Sequence, residues 1–310
     1  MRSLDNTFGR PSADRRTIER SSDEWIKRQR DSSDAHFIVS IGTRALVNAE
    51  PALMKLPHDA LPDDWRNWQT VFLGVLESTP LFAISAPQDL ETHFAAFGEL
   101  SELRPLALLL PAADAALAAH LRAVFHWHEL NRYCGACGAP LQSAAGGHAR
   151  RCANGDCIVG EIFPRIDPAV IVLVTHDDKC LLGRQSSWPA GRYSCLAGFA
   201  EAGETLEEVV RREVFEEAGV DVTDVEYHSS QPWPFPQSLM IGFRARALTP
   251  AITLHDDELE DARWFSRQEL RDALTAGTLK ASARLSIAWR LLRDWYAEAA
   301  DPADLDRYAG

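Results

Sequence analysis

The residues best placed to do chemistry are Glu213, Glu216 and Glu217, spaced i, i+3 and i+4. If residues 204–218 are helical, that spacing stacks three carboxylates on one face. Like charges repel there, so the face costs stability unless something neutralises it. Hard divalent cations are the natural neutraliser, and Mg2+ is typically held by a few carboxylates plus substrate phosphates. Thr205 and Gly219 bracket the segment as N-cap and C′ residues. Glu201 and Glu204 precede it in a Gly-bounded loop. A solvated acidic helix would share this composition, but the wider spacing argues against it: Gly198, five residues, Glu204, seven residues, then Arg212 to Val220 as REVFEEAGV. Seven fixed residues at about 7% abundance each match by chance on the order of once in 10⁸ start positions.

Two further groups carry chemistry. Cys134-x2-Cys137 is followed after fourteen residues by Cys152-x4-Cys157. Four thiolates suit tetrahedral zinc, and Gly135 and Gly138 suit the tight turns of a knuckle. Two disulfides or free thiols are the alternatives. Four cysteines complete a zinc shell, so the metal is read as structural, and His126 and His128 are assigned to the preceding helix face. Between residues 138 and 151 only Arg150 and Arg151, with His148, carry positive charge, too few to track a phosphate backbone. The second group is SQPWPFPQS, residues 230–238. Three alternating prolines stiffen the backbone and remove donors. Trp233 and Phe235 offer faces for stacking bases, and Gln231, Gln237 and the serines can read ring edges or ribose. Alone, the segment fits a rigid structural loop or a polyproline ligand equally well.

These groups need elements to hold them. The 310-residue chain is long enough for two domains with cores plus a small module. It has ordinary globular composition, 46% hydrophobic and 25% charged. A net charge of −13 disfavours broad nucleic-acid binding. Residues 1–33 are polar and read as a disordered or loosely attached tail. Strand-like runs at 36–48, 71–76 and 81–84 and a long helix at 112–130 make residues 34–130 an α+β domain. Residues 131–162 lack apolar periodicity and need another source of order. A second domain spans 163–300: a buried strand AVIVLV at 169–174, a hairpin into KCLLG, a strand at 193–199, the acidic helix, an alternating strand at 241–248, a capping box at Ser266 and Glu269, and a helix at about 283–298. Residues 301–310 read as a tail. Cys180 and Cys195, in apolar runs, read as buried inert thiols. The first ten residues lack an apolar signal core, no apolar run is long enough to span a bilayer, and the C-terminus matches no address, so a cytoplasmic protein without membrane partners is expected.

The box at 198–220 resembles that of the Nudix hydrolases. SQPWPFPQS resembles the array marking the NADH pyrophosphatase, or NudC-like, branch, and the cysteine module lies where that branch carries its zinc ribbon. The resemblance covers about residues 34–300. It implies an α/β/α Nudix sandwich after an N-terminal α+β domain and a central zinc ribbon. It implies catalytic Mg2+ or Mn2+ and attack of water on a nucleoside diphosphate linked to another group. By position, Glu213 and Glu217 would be metal ligands, Glu216 would bind metal or activate water, and Arg212 would orient the glutamates. The Ala197 carbonyl and Glu258 would be further ligands, the latter placed by its spacing to Trp264. Gln231, Pro232, Trp233, Pro234, Phe235, Pro236, Gln237 and Ser238 would bind substrate, with Ala288. Phe199 and Phe163 resemble an aromatic pair that sandwiches nicotinamide, Phe163 coming from the partner subunit of a homodimer; the family has Tyr there. Arg104 resembles a phosphate-contacting arginine, with a plain surface arginine as the alternative. The implied reaction converts NADH or NAD+ to NMN(H) and AMP. Decapping of NAD-capped RNA by the same chemistry is the alternative within enzymes. A noncatalytic nucleotide sensor or nucleic-acid module is the alternative from another class, and the three retained glutamates argue against it.

Overall fold

The computed structural model describes residues 2–10, 13–255 and 258–308. The chain forms two compact units, one of residues 10–166 with 233–237, the other of residues 1–9, 167–232 and 238–310.

The first unit is built on β1 (His36–Ile41), β2 (Arg44–Val47), β3 (Gln69–Leu76), β4 (Thr79–Ser85) and β5 (Glu99–Glu102), in the order β3-β4-β1-β2-β5. The one parallel pair is β1 with β4. Phe37, Trp65, Phe72, Phe82 and Phe94 fill its aromatic core. Residues 13–33 belong to this body and are not a detached tail. Asp14 bridges to Val75, and α1 (Asp23–Arg30) starts on a Ser22 cap and sets Trp25 edge-on to Phe72 at 5.4 Å. Trp25 and Ile26 of this segment pack against the aromatic core, whereas Ile18 is exposed, so two residues hold what the polar composition led one to read as a tail. After α2 (Glu91–Phe94) and α3 (Leu103–Leu106) comes α4 (Ala112–Leu130). Ala115, Ala116, Ala118 and Ala119 of α4 are buried along with Leu117, Leu121 and Phe125. Asp114 in its first turn accepts from Leu53 N at 2.9 Å and Lys55 Nζ at 2.8 Å, a favourable place for an anion. The cysteine segment adds a three-stranded sheet of β6 (Leu141–Ala144), β7 (Ala149–Cys152) and β8 (Glu161–Ile162). It groups with this unit, and the chain passes to the second unit at Asp167.

In the second unit, β9 (Asp167–His176) is central. The other strands are β10 (Lys179–Arg184), β11 (Leu196–Phe199), β12 (Val222–Trp233), β13 (Ser238–Ala247) and β14 (Asp261–Ser266), ordered β12-β13-β9-β10-β14 with β11 also on β9. The run 169–174 is apolar at every position because both faces are covered. Val170, Val172 and Val174 pack with Val209, Val210 and Val214 of α5 (Leu206–Ala218). Ile171 and Leu173 pack with Leu270 of α6 (Arg267–Thr275) and Ile287, Leu291 and Trp295 of α7 (Ile287–Tyr296). This is an α/β/α sandwich. Strand β12 has no counterpart in the sequence reading because its 222–228 stretch is largely polar and half exposed. Nor is the C-terminus a tail. Leu305 of α8 (Ala303–Asp306) is fully buried, and Arg293 grips Asp306 through two bonds of 2.8 and 2.9 Å. Among the described residues, no helix is long and apolar enough to cross a membrane.

Candidate active site and zinc ribbon

Helix α5 is set by its ends. Thr205 Oγ1 accepts from Glu208 N, while Glu208 returns to Thr205 N. Gly219 closes the helix at φ 65°, a conformation glycine adopts without strain. Between them lies a carboxylate face organised by one guanidinium. Arg212 makes a fork to Glu204 through Nε at 2.6 Å and Nη2 at 2.8 Å. Its Nη1 reaches Glu213 at 2.8 Å and Glu216 at 3.0 Å, and Nη2 also donates to Phe199 O at 3.0 Å. The bidentate geometry is one that lysine cannot reproduce. Bonding to Arg212, with a backbone donor from Glu201, holds the Glu204 carboxyl down at about 2. Glu213 goes the other way: burial raises it, with the charges of Glu216 and Glu258 adding to the rise. Glu217 is 3% exposed, whereas Glu216 remains open.

Strand β11 supplies the opposite wall, pairing Ala197 with Ile171 and Gly198 with Val170. A Cβ on Gly198 would fall inside the Glu213 carboxylate. The space a side chain would take is therefore filled by the Glu213 carboxylate. Three acidic residues compete for the distal position. Glu260 pairs with Arg184, and Asp261 with Tyr193 and Arg263. Glu258 is the one whose charge raises Glu213, and Gln185 Nε2 donates to it at 3.4 Å. The hard oxygen donors, with buried Glu217 among them, fit Mg2+ or Mn2+.

The aromatic–proline segment is not one extended loop. Gln231 to Trp233 end β12, Ser238 begins β13, and Pro234 to Gln237 form the turn. Trp233 and Phe235 meet edge to face at 5.2 Å. Arg104 lies over both rings, 4.3 Å from Phe235 and 5.4 Å from Trp233. Arg122, on α4, was not singled out from the sequence. It donates to Pro234 O at 2.9 Å and lies 5.4 Å from Phe235; nothing in its alanine-rich surroundings marks it. Two of the expected substrate contacts are buried. Gln231 is fully buried, its Nε2 donating to Leu285 O at 2.7 Å and Thr7 O at 3.1 Å and its Oε1 accepting from Ile287 N at 2.7 Å. Both ends of its side-chain amide are thus engaged within the protein. Ala288 is 2% exposed, in the first turn of α7 beneath the Ser286 cap. Phe199 and Phe163 are 60% and 66% exposed.

The four cysteine sulfurs lie within 4.8 Å of one another, the one such ligand cluster among the described residues. The Cys134–Cys157 and Cys137–Cys152 separations are 3.7 and 3.5 Å. A disulfide needs about 2.05 Å, whereas zinc–sulfur bonds of about 2.3 Å make a tetrahedron with edges of about 3.8 Å. The spacing fits zinc. Gly138, at φ 72°, donates to Cys134 O at 2.8 Å to close the first knuckle. The x4 pair turns through Cys157 N to Asn154 O at 3.1 Å. Cys180 and Cys195 are buried in the second unit.

Comparison with known proteins agrees with this geometry. Residues 165–286 match the NUDIX domain, 34–127 the NADH pyrophosphatase-like rudimentary NUDIX domain, and 129–157 the NADH pyrophosphatase zinc ribbon domain. The human NAD-capped RNA hydrolase NUDT12 is 44% identical over 62% of this chain and 44% of its own length, so the chain spans less than half of that relative. The Mycobacterium bovis NAD-capped RNA hydrolase NudC is 39% identical over 74% of this chain and 76% of its own. The human mitochondrial NAD(P)H pyrophosphatase NUDT13 is 36% identical over 74% and 67%. Box, aromatic turn and four-cysteine ribbon thus occur together, and the chain belongs to the Nudix hydrolases, in the NADH pyrophosphatase branch that carries a zinc ribbon.

Proposed function

We propose that the protein hydrolyses the pyrophosphate bond of NAD(H), yielding NMN(H) and AMP, with Mg2+ or Mn2+. The observation that carries the reading is the Arg212-organised face, with Glu217 buried and Gly198 leaving room for Glu213. Glu213, Glu217, Glu258 and the Ala197 carbonyl hold the cations. When bound, these neutralise pyrophosphate charge and make water a better nucleophile. Glu216, open to solvent and held by Arg212, is the group to accept the proton of the attacking water. Trp233 and Phe235 recognise the base, and Arg104, seated on Phe235, meets phosphate charge. The relatives' named activities on NAD(P)H support the substrate class. A homodimer is supported by the exposure of Ile158, Phe163 and Ile166 on the ribbon's exit, with the exposed ring of Phe163 completing a partner's nicotinamide pocket. Four clustered thiols suit the reducing cytoplasm.

A second reading, removal of NAD caps from RNA, is favoured by relatives named for it. A product assay tests both. NADH, NAD+, ADP-ribose, a diadenosine polyphosphate and NAD-capped RNA are compared with each metal, with Glu217→Gln as control. The expected result is AMP and NMNH from NADH, abolished in a folded Glu217→Gln. Capped RNA winning by orders of magnitude in kcat/KM would overturn the free-dinucleotide assignment. Turnover by the variant would overturn the site.

A further inference from the structure

A cavity of about 390 Å³ opens in the first unit, and none of its lining residues belongs to the second. Three stretches distant in sequence enclose it: α1, residues 67–72 leading into β3, and residues 143–147 at the end of β6. Phe72 and Phe82, both almost fully buried, give it an apolar side, and half-buried Trp68 lines it with them.

The walls are fixed by the fold itself. Gly146 and Gly147 have φ of 62° and 93°. A Cβ on Gly146 would come to 2.8 Å from Ile26 Cδ1, and one on Gly147 to 2.9 Å from Val71 Cγ2. The turn at 145–147 therefore rests directly on α1 and β3. His128 Nε2–H donates to Gly147 O and His148 Nε2–H to Phe72 O, both at 2.8 Å, which holds it there. A site built in advance loses little freedom when a ligand enters.

The charges around the cavity are uneven. Lys27 and Arg30 of α1 line it, and Asp23 is the one lining carboxylate among the described residues. Arg30 Nε is buried and has no hydrogen-bond partner. Its ion pair with Asp31 is long, at 3.6 Å, and Arg66 Nε stands at the same distance from Asp31, so one carboxylate serves two guanidiniums. A buried N–H without an acceptor is costly, and an anion in the cavity would supply one. Asn67 and Ser143 add an amide and a hydroxyl suited to a ring edge or a ribose. An aromatic wall, neutral hydrogen-bonding groups and a cationic side together match a nucleotide. The volume lies low in the range of about 300–1,000 Å³ for small-ligand pockets, room for one base, ribose and phosphate.

We propose that this cavity binds a nucleoside monophosphate, with the base against Trp68 and Phe72 and the phosphate toward Lys27 and Arg30. The proposal is independent of the dinucleotide activity and concerns binding alone.

The test is photoaffinity labelling of the full chain with an azido-substituted AMP, the labelled peptides being read by mass spectrometry. Unlabelled AMP, inorganic phosphate and decanoate serve as competitors. Label is expected in peptides covering residues 67–72 or 143–147. AMP should suppress it, phosphate less so, and decanoate not at all. Lys27→Glu and Arg30→Met should each raise the AMP concentration needed for protection about tenfold, the size of one lost charge-assisted hydrogen bond. Lys27→Arg should keep it near that of the unaltered chain. Lys27 is exposed, so thermal melting of its variants should be unchanged. Label confined to peptides of the second unit, such as residues 198–220, would overturn the proposal, and so would label in the cavity that AMP does not suppress. Unaltered protection by AMP in folded Lys27→Glu and Arg30→Met would do the same. Decanoate competing as well as AMP would make the cavity a site for apolar anions and defeat the nucleotide assignment.

Discussion

Gly198 and Glu213 share one small volume. The glycine is required because the position of its missing Cβ is taken by the carboxylate, not because of an unusual backbone angle. Arg212 completes the arrangement by spending its guanidinium on Glu204, Glu213 and Glu216 together. In Gly198→Ala the methyl must push Glu213 away from its site while α5 keeps its caps. A displacement of about 1 Å at a reacting group costs on the order of 10²-fold in rate. Gly198→Ala should therefore lower kcat by about that factor with a near-native circular dichroism spectrum. Steady-state kinetics checks it, and a native kcat would show that the Glu213 position is not catalytic.

At the scale of elements, the zinc ribbon is the least self-sufficient part. Its buried cluster is Cys134, Leu141 and Cys152, far too little apolar surface to order some thirty residues without metal. Arg150, a candidate phosphate contact by composition, instead donates to the carbonyls of His128, Asn131 and Leu141. It thereby caps the C-terminal end of α4, where a cation is favoured. Arg151 pairs with Glu161. Arg150 is thus committed to structure, which agrees with the ribbon's reading as a structural module. Removing zinc should release both the knuckles and this cap. Hydrogen exchange after chelation is expected to show protection lost across residues 131–162 and in the last turn of α4. Native protection there after verified zinc loss would contradict the structural role.

For the whole molecule, two histidines of the first unit contribute to acid sensitivity. His128 Nε2–H donates to Gly147 O and His148 Nε2–H to Phe72 O, both at 2.8 Å. Burial, chiefly, brings each down from 6.5 to about 4, with Arg150 adding to the effect at His128 and Arg20 and Arg15 at His148. The folded state therefore prefers them neutral. Their contribution is fully present above about pH 6.5 and drains away as pH falls through about 4. Denaturant midpoints should drop between these limits. His148→Gln, which keeps an amide donor for Phe72 O, should shrink that drop. A variant with the wild-type acid profile would remove His148 as a cause.

The sequence alone determined whatever depends on neighbours along the chain. Helix α5, its caps and its acidic face follow from the spacing of Thr205, Glu213, Glu216, Glu217 and Gly219. The two-faced burial of β9 follows from an unbroken apolar run, and the four-thiol set from paired cysteines. Tertiary structure decided whatever depends on distant partners. Asn6 meets Ser230 across 224 positions and Arg122 meets Pro234 across 112. Gln231, polar and placed in an apparent substrate motif, is buried because its three partners come from residues 7, 285 and 287. Helical and strand periodicities record which face is covered. They do not record which remote backbone group will satisfy a polar side chain, and for that reason residues 2–9 and the C-terminal anchor at Leu305 read as tails although distant residues hold both.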